Sequence, residues 1–140
     1  MDKIAIACDH GGYDLKEAIK LHYAGRLEFV DLGTDSKDSV DYPDYAKSMA
    51  ESIIDGKVDG GILICGTGIG TSIAANRYPQ IRAALCTDTT MALRTRLHND
   101  ANVLALGARI IGNEVAFDII DIFLSTSFEG GRHEVRINKL

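Results

Sequence analysis

Cysteine is scarce in this sequence, at three residues, and no two of them stand at a metal-binding spacing. An odd, widely spaced set excludes a disulfide framework and offers no zinc site. Basic residues are outnumbered, 15 against 20 acidic, for a formal net charge of −5. No overall positive field is available to draw in nucleic acid or an acidic membrane, so any anion site has to be local. No apolar run approaches the roughly 18 residues of a membrane span. The N-terminus has no signal-peptide pattern, and a cytoplasmic protein is expected. Internal repeats, low-complexity tracts and domain linkers are also missing. What remains is 140 residues, 46% apolar and 25% charged. That is the profile of a single domain over residues 1–140, able to bury roughly two-thirds of its unfolded surface.

Apolar runs alternate with longer amphipathic stretches from end to end. The runs at residues 3–8, 27–32, 60–65, 81–86 and 102–106 predict strands. Helical spacing predicts helices over 13–23, 43–55, 69–76, 88–98 and 114–124. The last of these is expected to bury Val115, Ile119, Ile122 and Phe123. Five β–α units with short links favour an α/β protein, a Rossmann-like three-layer α/β/α sandwich on a five-stranded parallel sheet. Ligands in such sheets sit at the carboxyl ends of the strands. That edge should collect Cys8-Asp9-His10-Gly11-Gly12, Cys65 to Gly70, Thr87-Asp88 and Gly107. From about residue 125 the chain is too polar for another core helix and reads as a C-terminal arm.

The chemistry concentrates in Cys65-Gly66-Thr67-Gly68-Ile69-Gly70. A buried strand delivers a thiol to its end, and a glycine-rich turn follows whose N–H groups can face an anion. Most free cysteines are small buried hydrophobes. A thiol among exposed N–H donors is different, because its thiolate is favoured and can act as base or nucleophile. A nucleotide fingerprint would need glycine at 71 or 73, where Thr71 and Ile73 stand, although Asp88 lies about where a ribose-binding acid belongs. A short anion cradle fits better. Asp9-His10 is a helix cap or a pocket pair. His98, at a helix end, is a favourable cation there or a site residue. Arg132 and Arg136, four apart, either clamp a phosphate or pair with Glu129 and Glu134, and Arg109 can join them.

Taken together, Cys8-Asp9-His10-Gly11-Gly12, Asp41-Tyr42-Pro43, the run from Gly60 through Cys65 to Gly70, Arg96-Leu97-His98-Asn99-Asp100-Ala101-Asn102-Val103-Leu104 and Glu129-Gly130-Gly131-Arg132-His133 resemble the ribose-5-phosphate isomerase B family. That family also includes galactose-6-phosphate and allose-6-phosphate isomerases. The resemblance implies aldose–ketose isomerisation of a sugar phosphate, ribose 5-phosphate to ribulose 5-phosphate, through a cis-enediolate and with no metal or organic cofactor. It implies Cys65 as the base, assisted by Thr67, with the Gly66 to Gly70 backbone, Ile69 included, as oxyanion donors. His98 with Asp9 would open the furanose ring. His10, Arg109, Arg132 and Arg136 would hold the phosphate, and Asn99 and Tyr42 the sugar. It further implies a homodimer, or a dimer of dimers, with the site between subunits. A six-carbon sugar phosphate is the alternative substrate, and a non-catalytic nucleotide- or phosphate-binding module the alternative class.

Overall fold

A strand covered on both faces has to be apolar on both, and the short strands of this chain meet that demand almost without exception. The computed structural model describes residues 1–140. In chain order the elements are β1 (Ile4–Cys8), a 3-10 turn (His10–Gly12), α1 (Tyr13–His22), β2 (Phe29–Asp31), α2 (Tyr42–Ile54), β3 (Gly60–Cys65), α3 (Ile69–Ala75), β4 (Ala83–Leu85), α4 (Thr89–Asn99), β5 (Val103–Gly107), α5 (Asn113–Ser125) and α6 (Arg132–Ile137). The five strands form one parallel sheet in the order β2-β1-β3-β5-β4. The expected α/β/α architecture is therefore the one adopted. The edge strands β2 and β4 are only three residues long, because each has a single neighbour and holds register with it over three pairs.

Alternation along the strands divides the core in two. Ile6, Cys8, Ile62, Ile64, Leu104 and Leu106 pack with α1, α4 and α5. Ala5, Ala7, Leu63 and Val103 face the other way, against α2 and α3. Small residues let α2 approach closely on that side: Met49 fills the space that a Cβ on Gly61 would take.

One sequence expectation needs correction. The buried face of α5 is Ala116, Ile119, Ile120 and Phe123, while Val115 is exposed and Ile122 half-buried. Helix α5 lies between α1 and α4, so its inward stripe is set by those two neighbours rather than by its most apolar residues. The C-terminal segment forms a short helix, α6, that packs on α4 and buries only His133.

Lys16 is almost fully buried, with its Nζ held by Asp31 at 2.7 and 2.9 Å and by the Thr34 carbonyl at 2.6 Å. Lys20 reaches the same carboxylate at 2.7 Å. These contacts tie α1 to β2 and to the root of the loop over residues 32–41. Strand order reverses between β1 and β3, and the carboxyl ends of those two strands therefore open a crevice.

Candidate active site

Cys65 ends β3 and, by alternation from Gly61 and Leu63, turns its side chain to the α2–α3 face. It is 5% exposed, and its Sγ accepts the Gly68 N–H at 3.2 Å. Only glycine allows that turn. Gly68 has φ +78°, and a Cβ there would lie 2.6 Å from Leu85 Cδ1 and 2.9 Å from the Leu106 carbonyl carbon. The N–H groups of Gly66 and Thr67 have no acceptor within the chain. The Thr67 hydroxyl oxygen accepts the Ile69 N–H at 3.2 Å. Burial pushes the Cys8 thiol up to about 11 and the Cys86 thiol up to about 12, so both stay protonated near neutrality.

Cys8 pairs with Ile64 in the β1–β3 ladder, which sets Asp9 beside Cys65 one step further on. Asp9 is buried and caps the 3-10 turn, its Oδ1 accepting the Gly11 N–H at 3.0 Å. The capping role is therefore realised, and the cap stands beside Cys65 at the strand ends. A Cβ on Gly11 would lie 3.3 Å from the Gly66 nitrogen, which shows how closely the two loops approach. His10 Nδ1 accepts the Val40 N–H at 3.2 Å, so a neutral His10 carries its proton on Nε2. The Tyr42 ring covers Gly70, where an added Cβ would lie 2.7 Å from Tyr42 Cζ. The Arg109 N–H donates to the Gly66 carbonyl at 2.9 Å, and its guanidinium flanks the same glycine. Asp9, His10, Tyr42, Cys65 to Gly70 and Arg109 accordingly meet at one edge of the sheet.

The remaining predicted residues do not. His98 and Asn99 end α4, which runs back across the sheet, and the Asn99 carbonyl accepts from Arg82 Nε at 3.1 Å just ahead of β4. They lie at the amino edge, about 17–20 Å away for strands of five or six residues. Asp9 and His98, which the resemblance implies act together, are therefore far apart within one chain. His98 stacks on His133, with ring centroids 4.2 Å apart and planes 14° from parallel. Arg132 Nη1 lies 3.6 Å from Glu129 Oε1, so the ion-pair alternative is realised for that arginine. Arg136 has no acidic partner and lines a cleft with His98, Asn99, His133 and Leu140. Burial first, then Arg132 and the neighbouring His98, hold His133 below the ordinary imidazole range.

Sequence reasoning gave His133 and Lys16 no role. The signal for His133 is its spacing four residues after Glu129, and for Lys16 a charge on the apolar stripe between Leu15 and Ile19.

A family model described as ribose/galactose isomerase matches residues 4–140. Ribose-5-phosphate isomerase B of Escherichia coli is 49% identical, covering 100% of this chain and 95% of that protein. A putative sugar phosphate isomerase of Bacillus subtilis, YwlF, is 53% identical over 99% of this chain and 94% of its own length. Among solved structures, a ribose 5-phosphate isomerase from Thermotoga maritima superposes with TM-score 0.96 at 58% identity, covering 98% of this chain and 95% of that one.

Proposed function

The chain belongs to the ribose/galactose isomerase family, and on that premise we propose that it interconverts ribose 5-phosphate and ribulose 5-phosphate, with Cys65 as the base. The observation that carries the base assignment is the thiol at the end of β3, held by the Gly68 N–H and flanked by two unpaired backbone donors. In the open-chain aldose, Cys65 takes the proton from C2 and the electron pair moves onto the carbonyl oxygen at C1. The Gly66 and Thr67 N–H groups receive that oxyanion. Once a proton has passed from the C2 oxygen to the C1 oxygen, aided by Thr67 and Asp9, the thiol returns its proton to C1. A positioned base contributes about 10²–10⁴-fold, and the cradle is needed because a proton beside a carbonyl is only weakly acidic.

The separation of the two residue groups supports a site shared between two copies of the chain. One copy would supply Asp9, His10, Tyr42, Cys65 to Gly70 and Arg109. The other would bring His98 to open the furanose ring, Asn99 to the sugar, and Arg132 and Arg136 to the phosphate. Apolar residues left uncovered on α3 and near α4 and α6 (Ile69, Ile73, Met91 and Val135) are of the kind a dimer would cover. Three unpaired cysteines fit a reducing compartment, the cytoplasm.

Exchange of the C2 proton with solvent tests the base directly. Cys65→Ala should lower exchange and turnover at least about 10²-fold while the circular dichroism and melting of the protein hold. Exchange near the wild-type rate would remove Cys65 from that role. Running wild-type turnover over five- and six-carbon aldose phosphates tests the substrate, and a preference for six carbons would overturn ribose 5-phosphate.

A further inference from the structure

His133 Nε2 is enclosed and has no hydrogen-bond partner, although the residue is only 5% exposed. A buried polar atom of this kind costs free energy unless something meets it. Glu129 Oε1 lies 3.8 Å away, too long for a hydrogen bond, and the His98 ring lies face-on at 4.2 Å. One ligand atom from each of His98, Glu129 and His133 falls within 4.8 Å of the others. We infer that these three residues form a site for a borderline transition-metal dication such as Zn2+ or Ni2+, and that bound ion and sugar phosphate exclude one another.

The donor set decides the class of ion. Two imidazole nitrogens and one carboxylate oxygen suit Zn2+, Ni2+, Co2+ and Cu2+, whereas Mg2+ and Ca2+ want oxygen donors and keep their water. Arg132 and Arg136 stand on the same helix and oppose any cation, so an ion attracted by charge alone gains nothing here. Metal–nitrogen bonds of about 2.0–2.1 Å bring tetrahedral ligands to about 3.3 Å from each other. The set therefore closes by up to about 1.5 Å. His133 is fixed by burial, while His98 is half-buried and Glu129 exposed, and these two have the freedom to turn. The near-parallel rings have to rotate out of their stack to share one ion, which takes His98 out of its present orientation. The ion would thus take His98 from the sugar, and one imidazole cannot serve both at once. Exclusion rests on the reading of His98 as a substrate residue, whereas the metal site does not.

The test uses the full chain after chelator treatment, titrated with Co2+ as a visible-absorbing stand-in for Zn2+. Visible d–d bands should appear in the wild type and equally in Cys65→Ser, without thiolate-to-metal charge transfer. Glu129→Gln, a change on an exposed side chain, and His133→Asn should each weaken binding about tenfold or more. Bands indifferent to both variants, or lost with Cys65→Ser, would overturn the site. Adding ribose 5-phosphate should displace Co2+, and Zn2+ should raise KM for that sugar with kcat unchanged. Binding that depends on Glu129 and His133 but ignores the sugar phosphate would overturn the exclusion. Chelated protein that turns over no sugar phosphate would contradict the isomerase reading and leave the cobalt result standing.

Discussion

Gly68 shows how much one residue without a side chain decides. Its φ of +78° costs an L-residue about 1–2 kcal/mol, and an added Cβ meets Leu85 and backbone of β5 besides. The same residue gives Cys65 its N–H. Gly68→Ala should therefore lower kcat about 10²-fold, the scale of one lost preorganised donor, with KM little changed because the phosphate contacts are remote. A urea melt should show the protein folded but weakened. Normal kcat in the weakened protein would mean that the thiol does not need this donor. Arg136 offers the opposite split. With no acidic partner to lose, Arg136→Ala should raise KM about 30-fold, the equivalent of a charge-assisted contact of about 2 kcal/mol, and leave kcat intact. Unaltered KM would remove Arg136 from the phosphate.

The elements that position these residues were legible to different depths. β1 and β3 read directly from the sequence, because a strand buried on both faces is an unbroken apolar run bounded by turn residues. The face of α5 did not read, since Val115 and Ile122 are as apolar as the residues it buries and only the packing of α1 and α4 chooses between them. Nor did the link from α1 to β2, which runs through the buried Lys16. Burial works against the Asp31 carboxylate, but Lys16, Lys20 and the Gly33 N–H outweigh it and hold its carboxyl below the ordinary range. A carboxyl whose value is lower in the folded chain stabilises fully above the unfolded value of 3.8 and loses that contribution as pH falls through the folded one. Asp31→Asn should cost about 2 kcal/mol near neutrality and flatten the acid limb of stability against pH, both read by urea unfolding. An unchanged acid limb would mean that other carboxylates set it. Because Lys16 also holds Thr34, at the root of the loop that carries the Val40 N–H to His10, the same variant should weaken substrate binding.

Every residue expected at the site is present, yet the chain divides them between the two edges of its sheet. The resemblance implied a site between subunits, but no motif spacing said which residues fall on which edge. Motif spacing says which residues act together, but not whether one copy can bring them together, and the answer depends on α4 running back from the carboxyl edge to the amino edge. Its consequence is a prediction about mixtures. Cys65→Ala and His98→Asn should each be nearly inactive on the furanose form of ribose 5-phosphate. If one copy gives Cys65 and the other His98, a mixed dimer has one site with both changes and one with neither. Random assortment makes about half the dimers mixed, each with one intact site of two, so about a quarter of wild-type turnover should return on co-refolding. The recovered KM should equal that of the wild type, because the restored sites are wild type throughout. A site built within each chain cannot be restored this way, and an inactive mixture in which mixed dimers are shown to form by mass would return all of the chemistry to a single copy.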